Sequence, residues 1–257
     1  EMIFNSMKFF SEALGMCTEA YVLIPQRGTT GRIGDNAGQS GPGKFKCLYL
    51  LHGLSDDQSI WMRRTSIERY AEEYGIAVVM PFGEKSFYTD THSGMNFYTY
   101  IAKELPARIA DTFNISVDRQ DNFVAGLSMG GYGALKIGLR ENSRFAACAG
   151  LSPLADIKEW TSYGYLDAVF GPERAVPDAD DLFELAKMKA DDPERPKVFM
   201  AIGYSDALYD MTKRLAAEFR RLNYDFTYME SEGVHDWAFW DKYIREVLAW
   251  LKKEKLI

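Results

Sequence analysis

From residue 46 onward, short apolar runs alternate with longer stretches whose apolar positions recur every three to four residues. This alternation predicts βαβ units around a mostly parallel sheet. Strands are predicted at 2–10, 16–24, 46–51, 76–80, 122–127, 145–151, 197–202 and 225–230, eight in all. Helices are predicted at 65–74, 98–112, 130–140, 210–222 and 236–253. In the fourth of these, Met211, Leu215, Phe219 and Leu222 share one face; in the fifth, Trp240, Ile244, Val247 and Leu251 do. Stripes at that spacing are packing faces, so both read as core.

Two stretches break the alternation. Residues 26–43 are glycine-rich with few apolar groups, which predicts a long mobile loop between strands. Within it, Gly38 to Lys44 imitates a phosphate-binding loop, but Phe45 stands where Ser or Thr is needed and a strand follows instead of a helix. The reading fails on both counts. Residues 152–195 are too long for a simple crossover and carry Trp160, Tyr163, Tyr165, Phe170 and Phe183 among Gly, Pro and Asp. They predict a small helical insertion, a cap over the sheet's C-terminal edge, where ligands of open α/β sheets bind.

A length of 257 residues suits one α/β domain spanning 1–257, with the cap inside it. No apolar run approaches the roughly 18 residues of a membrane span. A net charge of −7 without a basic run speaks against a general nucleic-acid binder. Cys17, Cys47 and Cys148 are an odd set with no metal-ligand spacing, and read as buried free thiols of a reducing compartment. The start lacks the basic-then-apolar order of a secretory signal, so the expected location is cytoplasmic. A first residue of Glu rather than Met leaves a removed leader open.

The chemistry is carried by Gly126-Leu127-Ser128-Met129-Gly130, placed where a buried strand turns into a helix. A G-x-S-x-G in that context is the nucleophile elbow of an α/β-hydrolase. The turn is tight enough that side chains at Gly126 and Gly130 would collide with neighbouring backbone, and it sets Ser128 at a helix N-terminus. A serine hydroxyl needs a base, and the chain has only His52, His92 and His235. His235 follows the last predicted strand and precedes the last helix, where the fold's chain order of nucleophile, acid and base requires it. Asp206, just past the preceding strand, supplies the carboxylate that orients the imidazole; Asp210 is a rival acid or a helix cap. Asp236 is read as the cap of the last helix, and His92 as a surface residue. One oxyanion donor is the Met129 N–H of the elbow. The second is expected after the third strand, in Leu51-His52-Gly53-Leu54-Ser55-Asp56-Asp57, where Gly53 can turn the Leu54 N–H into the site and His52 organises the loop.

With these residues in place, the chain resembles the esterase D-like branch of the α/β-hydrolases. The branch includes tributyrin esterases, S-formylglutathione hydrolases, feruloyl and acetylxylan esterases, and mycolyltransferases. The matching segments are Leu51 to Asp57 with Trp61, Gly126 to Ala134, Gly203 to Asp206, and His235-Asp236-Trp237 with Trp240. The loop at 52–57 and the elbow are most similar to the tributyrin esterase group. The resemblance implies hydrolysis of short-chain acyl or acetyl esters, no metal or other cofactor, and Leu54 as an oxyanion donor. The formylglutathione hydrolases carry a Ser-Gly-Leu-Thr-Cys type of loop where His52 to Asp56 stand here, which lowers a thioesterase reading. The aromatic insertion motivates a feruloyl alternative, and the same three residues would also support acyl transfer. Trp61, Trp160 and Trp237 are the expected pocket residues. The expected partner is a small-molecule ester, with a homo-oligomer left open.

Overall fold

The computed structural model describes residues 1–26, 43–161 and 164–257. The glycine-rich loop, most of the phosphate-loop imitation and Tyr163 therefore lie outside the described residues. The described residues form eight strands: β1 (Met2–Ser11), β2 (Met16–Pro25), β3 (Cys47–Leu51), β4 (Ala77–Pro81), β5 (Asn122–Leu127), β6 (Ala147–Leu151), β7 (Lys197–Gly203) and β8 (Phe226–Ser231). They form one sheet in the order β1-β2-β4-β3-β5-β6-β7-β8. The pairs β1–β2 and β2–β4 are antiparallel, and every later pair is parallel.

Strands β3 to β6 are buried at every position, which is why they read as unbroken apolar runs rather than as alternation. The edge strand β1 alternates instead, and its hairpin turn is tied to the body by Glu104, which accepts from Ser11 Oγ at 2.6 Å and from the Glu12 N–H at 2.8 Å. The start of β2 extends past its pairing with β4, which covers only Ala20–Leu23. Cys17 lies on that overhang and is exposed, contrary to the buried thiol expected; Cys47 and Cys148 are buried.

Each face of the sheet carries its own core. On one side lie the helix Met129–Arg140, through Tyr132 and Leu135, and the helix Tyr209–Arg221, through Leu215 and Phe219. On the other lie Ile67–Tyr74 and the final helix Trp237–Lys253, whose predicted stripe of Trp240, Ile244, Val247 and Leu251 is buried there. The segment predicted as a helix at 98–112 winds wide over Tyr100–Glu104 before closing as Leu105–Thr112. Among the described residues, 152–195 hold two short α-helices, Tyr165–Phe170 and Leu182–Met188, and a 3-10 turn at Asp178–Asp180.

Parallel pairing aligns the C-terminal ends of β3, β5, β6, β7 and β8 along one edge. All the chemistry-bearing turns fall there.

Candidate active site

The turn after β5 is built by close approach. A Cβ at Gly126 would strike the backbone of Gly130, and one at Gly130 would sit 2.5 Å from the carbonyl oxygens of Leu51 and His52. Only glycine fits at either place. The constraint drives Ser128 to φ 54°, ψ −117°, a conformation that L-residues rarely adopt. The strain is held by hydrogen bonds from Ser128 N–H to Leu151 O at 2.9 Å and from Tyr132 N–H to Ser128 O at 3.0 Å. Ser128 is thereby displayed at the start of the helix Met129–Arg140, where unsatisfied N–H groups collect.

The loops after β7 and β8 bring the other two groups in. Gly203 lets them meet, since a Cβ there would collide with the backbone of Gly233, and the Ser205 N–H donates to Gly233 O at 3.0 Å. Across that contact His235 Nδ1 lies 2.9 Å from Asp206 Oδ2, and His235 Nε2 lies 2.9 Å from Ser128 Oγ. A carboxylate only accepts, so Nδ1 carries the proton and Nε2 is left to accept from the serine hydroxyl. Burial alone would raise the Asp206 carboxyl, but hydrogen bonds from His235, the Leu208 N–H and Ser152 Oγ outweigh it and hold the group below its ordinary value. Asp206 therefore stays ionised beside the imidazole. Asp210 instead sits exposed in the first turn of Tyr209–Arg221, and Asp236 caps the last helix by accepting from the Phe239 N–H at 3.0 Å. His92 is exposed.

Leu54 and Met129 flank Ser128 on the wall of the same cavity, and neither N–H is engaged by another group among the described residues. Two open donors beside a serine oxygen suit a tetrahedral oxyanion. The Leu54 loop is braced from behind by His52, which is buried. The Gly83 N–H donates to its Nε2 at 2.8 Å, so the ring is the Nδ1–H tautomer and donates to Gly53 O at 2.7 Å. Burial pushes the His52 pKa down to about 4, keeping the ring neutral in this role. Tyr88, one of two consecutive residues at left-handed φ, donates from its hydroxyl to His52 O at 2.8 Å.

The cavity over Ser128 has a volume of about 510 Å³ and a mostly apolar lining that includes Leu54, Phe87, Leu154, Trp160, Leu208 and Trp237. Trp160 and Trp237 thus stand where the sequence places them. Trp61 does not: it is fully buried behind Trp237, its ring edge-on to that indole at 5.2 Å, and its Nε1–H donates to Leu51 O at 3.0 Å. The helix Ile60–Arg64 turns this side chain down onto the end of β3 rather than toward the opening. Trp240 lies against the His235 ring at 4.9 Å and lines the cavity in addition. Sequence reasoning missed Ser152, whose hydroxyl accepts from Trp240 Nε1 at 3.2 Å and supports Asp206. The available signal was a serine immediately past β6 at the same sheet edge. It also missed Phe87, which lies in a loop without periodicity.

The model of the Esterase family matches residues 36–251. The acetyl esterase of Caldicellulosiruptor saccharolyticus is 30% identical, over 98% of this chain and 99% of its own length. The chain belongs to the Esterase family. Among solved structures, the fluorophosphonate-binding serine hydrolase FphF of Staphylococcus aureus superposes with a TM-score of 0.85 at 32% identity, covering 97% of this chain and 98% of that one. The S-formylglutathione hydrolase FrmB of the same organism superposes at 0.83, also with 32% identity, covering 98% and 99%. This family member is a serine esterase, a carboxylic ester hydrolase on the α/β-hydrolase fold. No helix among the described residues is long and apolar enough to cross a membrane.

Proposed function

We propose that Ser128, His235 and Asp206 hydrolyse short-chain acyl esters through an acyl-enzyme, with Leu54 and Met129 as the oxyanion donors. The observation that carries this is the continuous hydrogen-bonded line from Asp206 through His235 to Ser128, opening into one apolar cavity. As Ser128 Oγ bonds to the ester carbonyl carbon, its proton passes to His235 Nε2 and the carbonyl electrons move onto oxygen between the two N–H groups. Each such donor typically contributes about 10²–10³ in rate. Collapse breaks the bond to the alkoxy group, which leaves with the proton held by His235. Water then repeats the sequence in reverse sense and releases the acid, regenerating Ser128. Asp206 stays ionised throughout and stabilises the imidazolium.

The acyl group is expected to be small. Phe87 and Trp160 pack on each other at 5.4 Å on the cavity wall and bound the space in front of Ser128. The acetyl esterase relative is consistent with this size. The same aromatic wall favours a second reading, hydroxycinnamoyl esters, whose flat rings suit such a surface. A series of nitrophenyl esters from acetate to decanoate, assayed beside methyl ferulate, separates the two. The expected result is a maximum in kcat/KM between acetate and butyrate with ferulate poorly released. Ferulate as the best substrate would select the second reading.

A further inference from the structure

We propose that Asp56 makes this esterase selective for uncharged esters by repelling substrates that carry an anionic group near the scissile bond. The proposal rests on the esterase reading above and narrows its substrate class. Asp56 lies on the cavity wall beside Leu54 and Ser55. Among the described residues it is the one carboxylate on that wall, and no Lys or Arg shares the wall with it.

Its distance from the chemistry is bounded by Gly53. A side-chain carbon built at Gly53 would lie 3.2 Å from Asp56 Oδ2 and 3.9 Å from Ser128 Cβ, so the carboxylate is within about 7 Å of the nucleophile's β-carbon. Burial, and then neighbouring Asp57, raise the Asp56 carboxyl from its ordinary value, while Arg64 and the Gly53 N–H oppose the shift. The surroundings therefore already disfavour negative charge at this point. Arg64 belongs to the helix Ile60–Arg64 and does not reach the cavity.

A neutral ester develops one negative charge, on the oxyanion, and two N–H groups are aimed at it. An ester with a carboxylate on its acyl or leaving group brings a second negative charge into a cavity whose wall offers no Lys or Arg, the imidazolium formed at His235 being paired with Asp206 already. A substrate carboxylate held within about 7 Å of Asp56 at this half-buried site would cost on the order of tenfold or more in rate. A diffuse preference from the chain's overall charge of −7 would not depend on this one residue. Asp56 has a structural use as well, since its carboxylate accepts from the Gly53 N–H and helps fix the oxyanion loop. Asparagine at this position keeps an acceptor oxygen and removes only the charge.

Two substrate pairs, each differing in charge, test this. One is 4-nitrophenyl butyrate against 4-nitrophenyl hemisuccinate, which alters charge on the acyl side. The other is S-acetyl-N-acetylcysteamine against S-acetylglutathione, which alters it on the leaving group. The wild-type enzyme is expected to favour the neutral member of at least one pair by about tenfold in kcat/KM. Asp56→Asn should bring that ratio close to the intrinsic reactivity ratio of the pair, whatever it does to the neutral substrate alone. Asp57→Asn is the control, because Asp57 turns away to accept from Ser59 N–H at 2.8 Å and Ser59 Oγ at 2.6 Å, and it should leave most of the preference in place. Equal turnover within both pairs by the wild type, or a preference that Asp56→Asn leaves unchanged, overturns the proposal. Folded protein that turns over none of the four would overturn the esterase reading itself, and this proposal with it.

Discussion

His52 shows how one side chain serves the site without touching substrate. It joins Gly83, at the end of β4, to Gly53, in the oxyanion loop, through its two ring nitrogens, and it can do so only as the neutral imidazole. The folded chain holds off protonation until a pH of about 4, whereas the unfolded chain takes up that proton near 6.5. Between these values the unfolded state binds more protons, so stability falls as pH drops through the window and is fully present above it. The loss attributable to this residue is up to about 3 kcal/mol. Denaturant unfolding at pH 7 and pH 4.5 should show a larger drop for the wild type than for His52→Asn. Equal drops would mean that the ring is protonated in the folded loop or bears no weight there. Ser152 acts in a similar way on the acid side, relaying Trp240 to Asp206, and it shares with Ser128 a backbone at positive φ. The organising role of His52 was legible in its loop, although its partner Gly83, 31 positions away, was not; Ser152, whose partner Trp240 lies 88 positions away, could not be assigned from a single chain.

At the scale of elements, the helix that begins after Ser128 carries a buried charge as well as the nucleophile. Lys136 is wholly buried, and its Nζ donates to Thr89 Oγ1 at 2.6 Å, Asp180 Oδ1 at 3.0 Å and Phe87 O at 3.1 Å. It thereby joins this helix, the loop bearing Phe87 and the inserted segment. Burial lowers its pKa to about 8, with Asp180 opposing the shift. Removing one member of such a buried pair typically costs about 3–5 kcal/mol, and here Arg140 Nη1, which also donates to Asp180 Oδ1 at 3.0 Å, keeps that carboxylate partly paired. Lys136→Met should lose stability toward the lower end of that range, and Lys136→Met with Asp180→Leu should lose less than the sum of the two single changes, as read from chemical denaturation of all three variants. If the double variant is the less stable by the sum of its parts, the ammonium and carboxylate are not coupled. The elbow and the apolar face announce this helix in the sequence, but nothing there hints that Lys136 lies inside. A lysine in a helix is ordinarily a solvated position. The five-residue helix Ile60–Arg64 is too short to show a period, so it too escapes a sequence reading, and the direction of Trp61 escapes with it.

For the whole molecule, the succession of strands along the chain and the candidate residues in the turns beyond β3, β5, β7 and β8 were legible. Unbroken apolar runs mark β3 to β7 because both faces of those strands are covered, and the turns after β5, β7 and β8 hold Ser128, Asp206 and His235 in the order the fold demands. Register and crossover then do the rest: parallel pairing delivers three turns, far apart in sequence, to one edge. The cavity was much less legible. Phe87, Leu208 and Trp240 reach it from different elements, and their selection depends on side-chain direction, which apolar periodicity does not report. In the proposed mechanism the acyl group passes through a covalent bond with Ser128 Oγ. Rapid mixing with 4-nitrophenyl acetate, quenching, and mass spectrometry of the digested protein measure that bond. A burst of nitrophenol matched by one acetyl group on Ser128 is expected, and neither in Ser128→Ala, whose turnover should fall by several orders of magnitude. Turnover by Ser128→Ala at the wild-type rate, or an acetyl group carried on a different residue during turnover, would overturn the covalent route through Ser128.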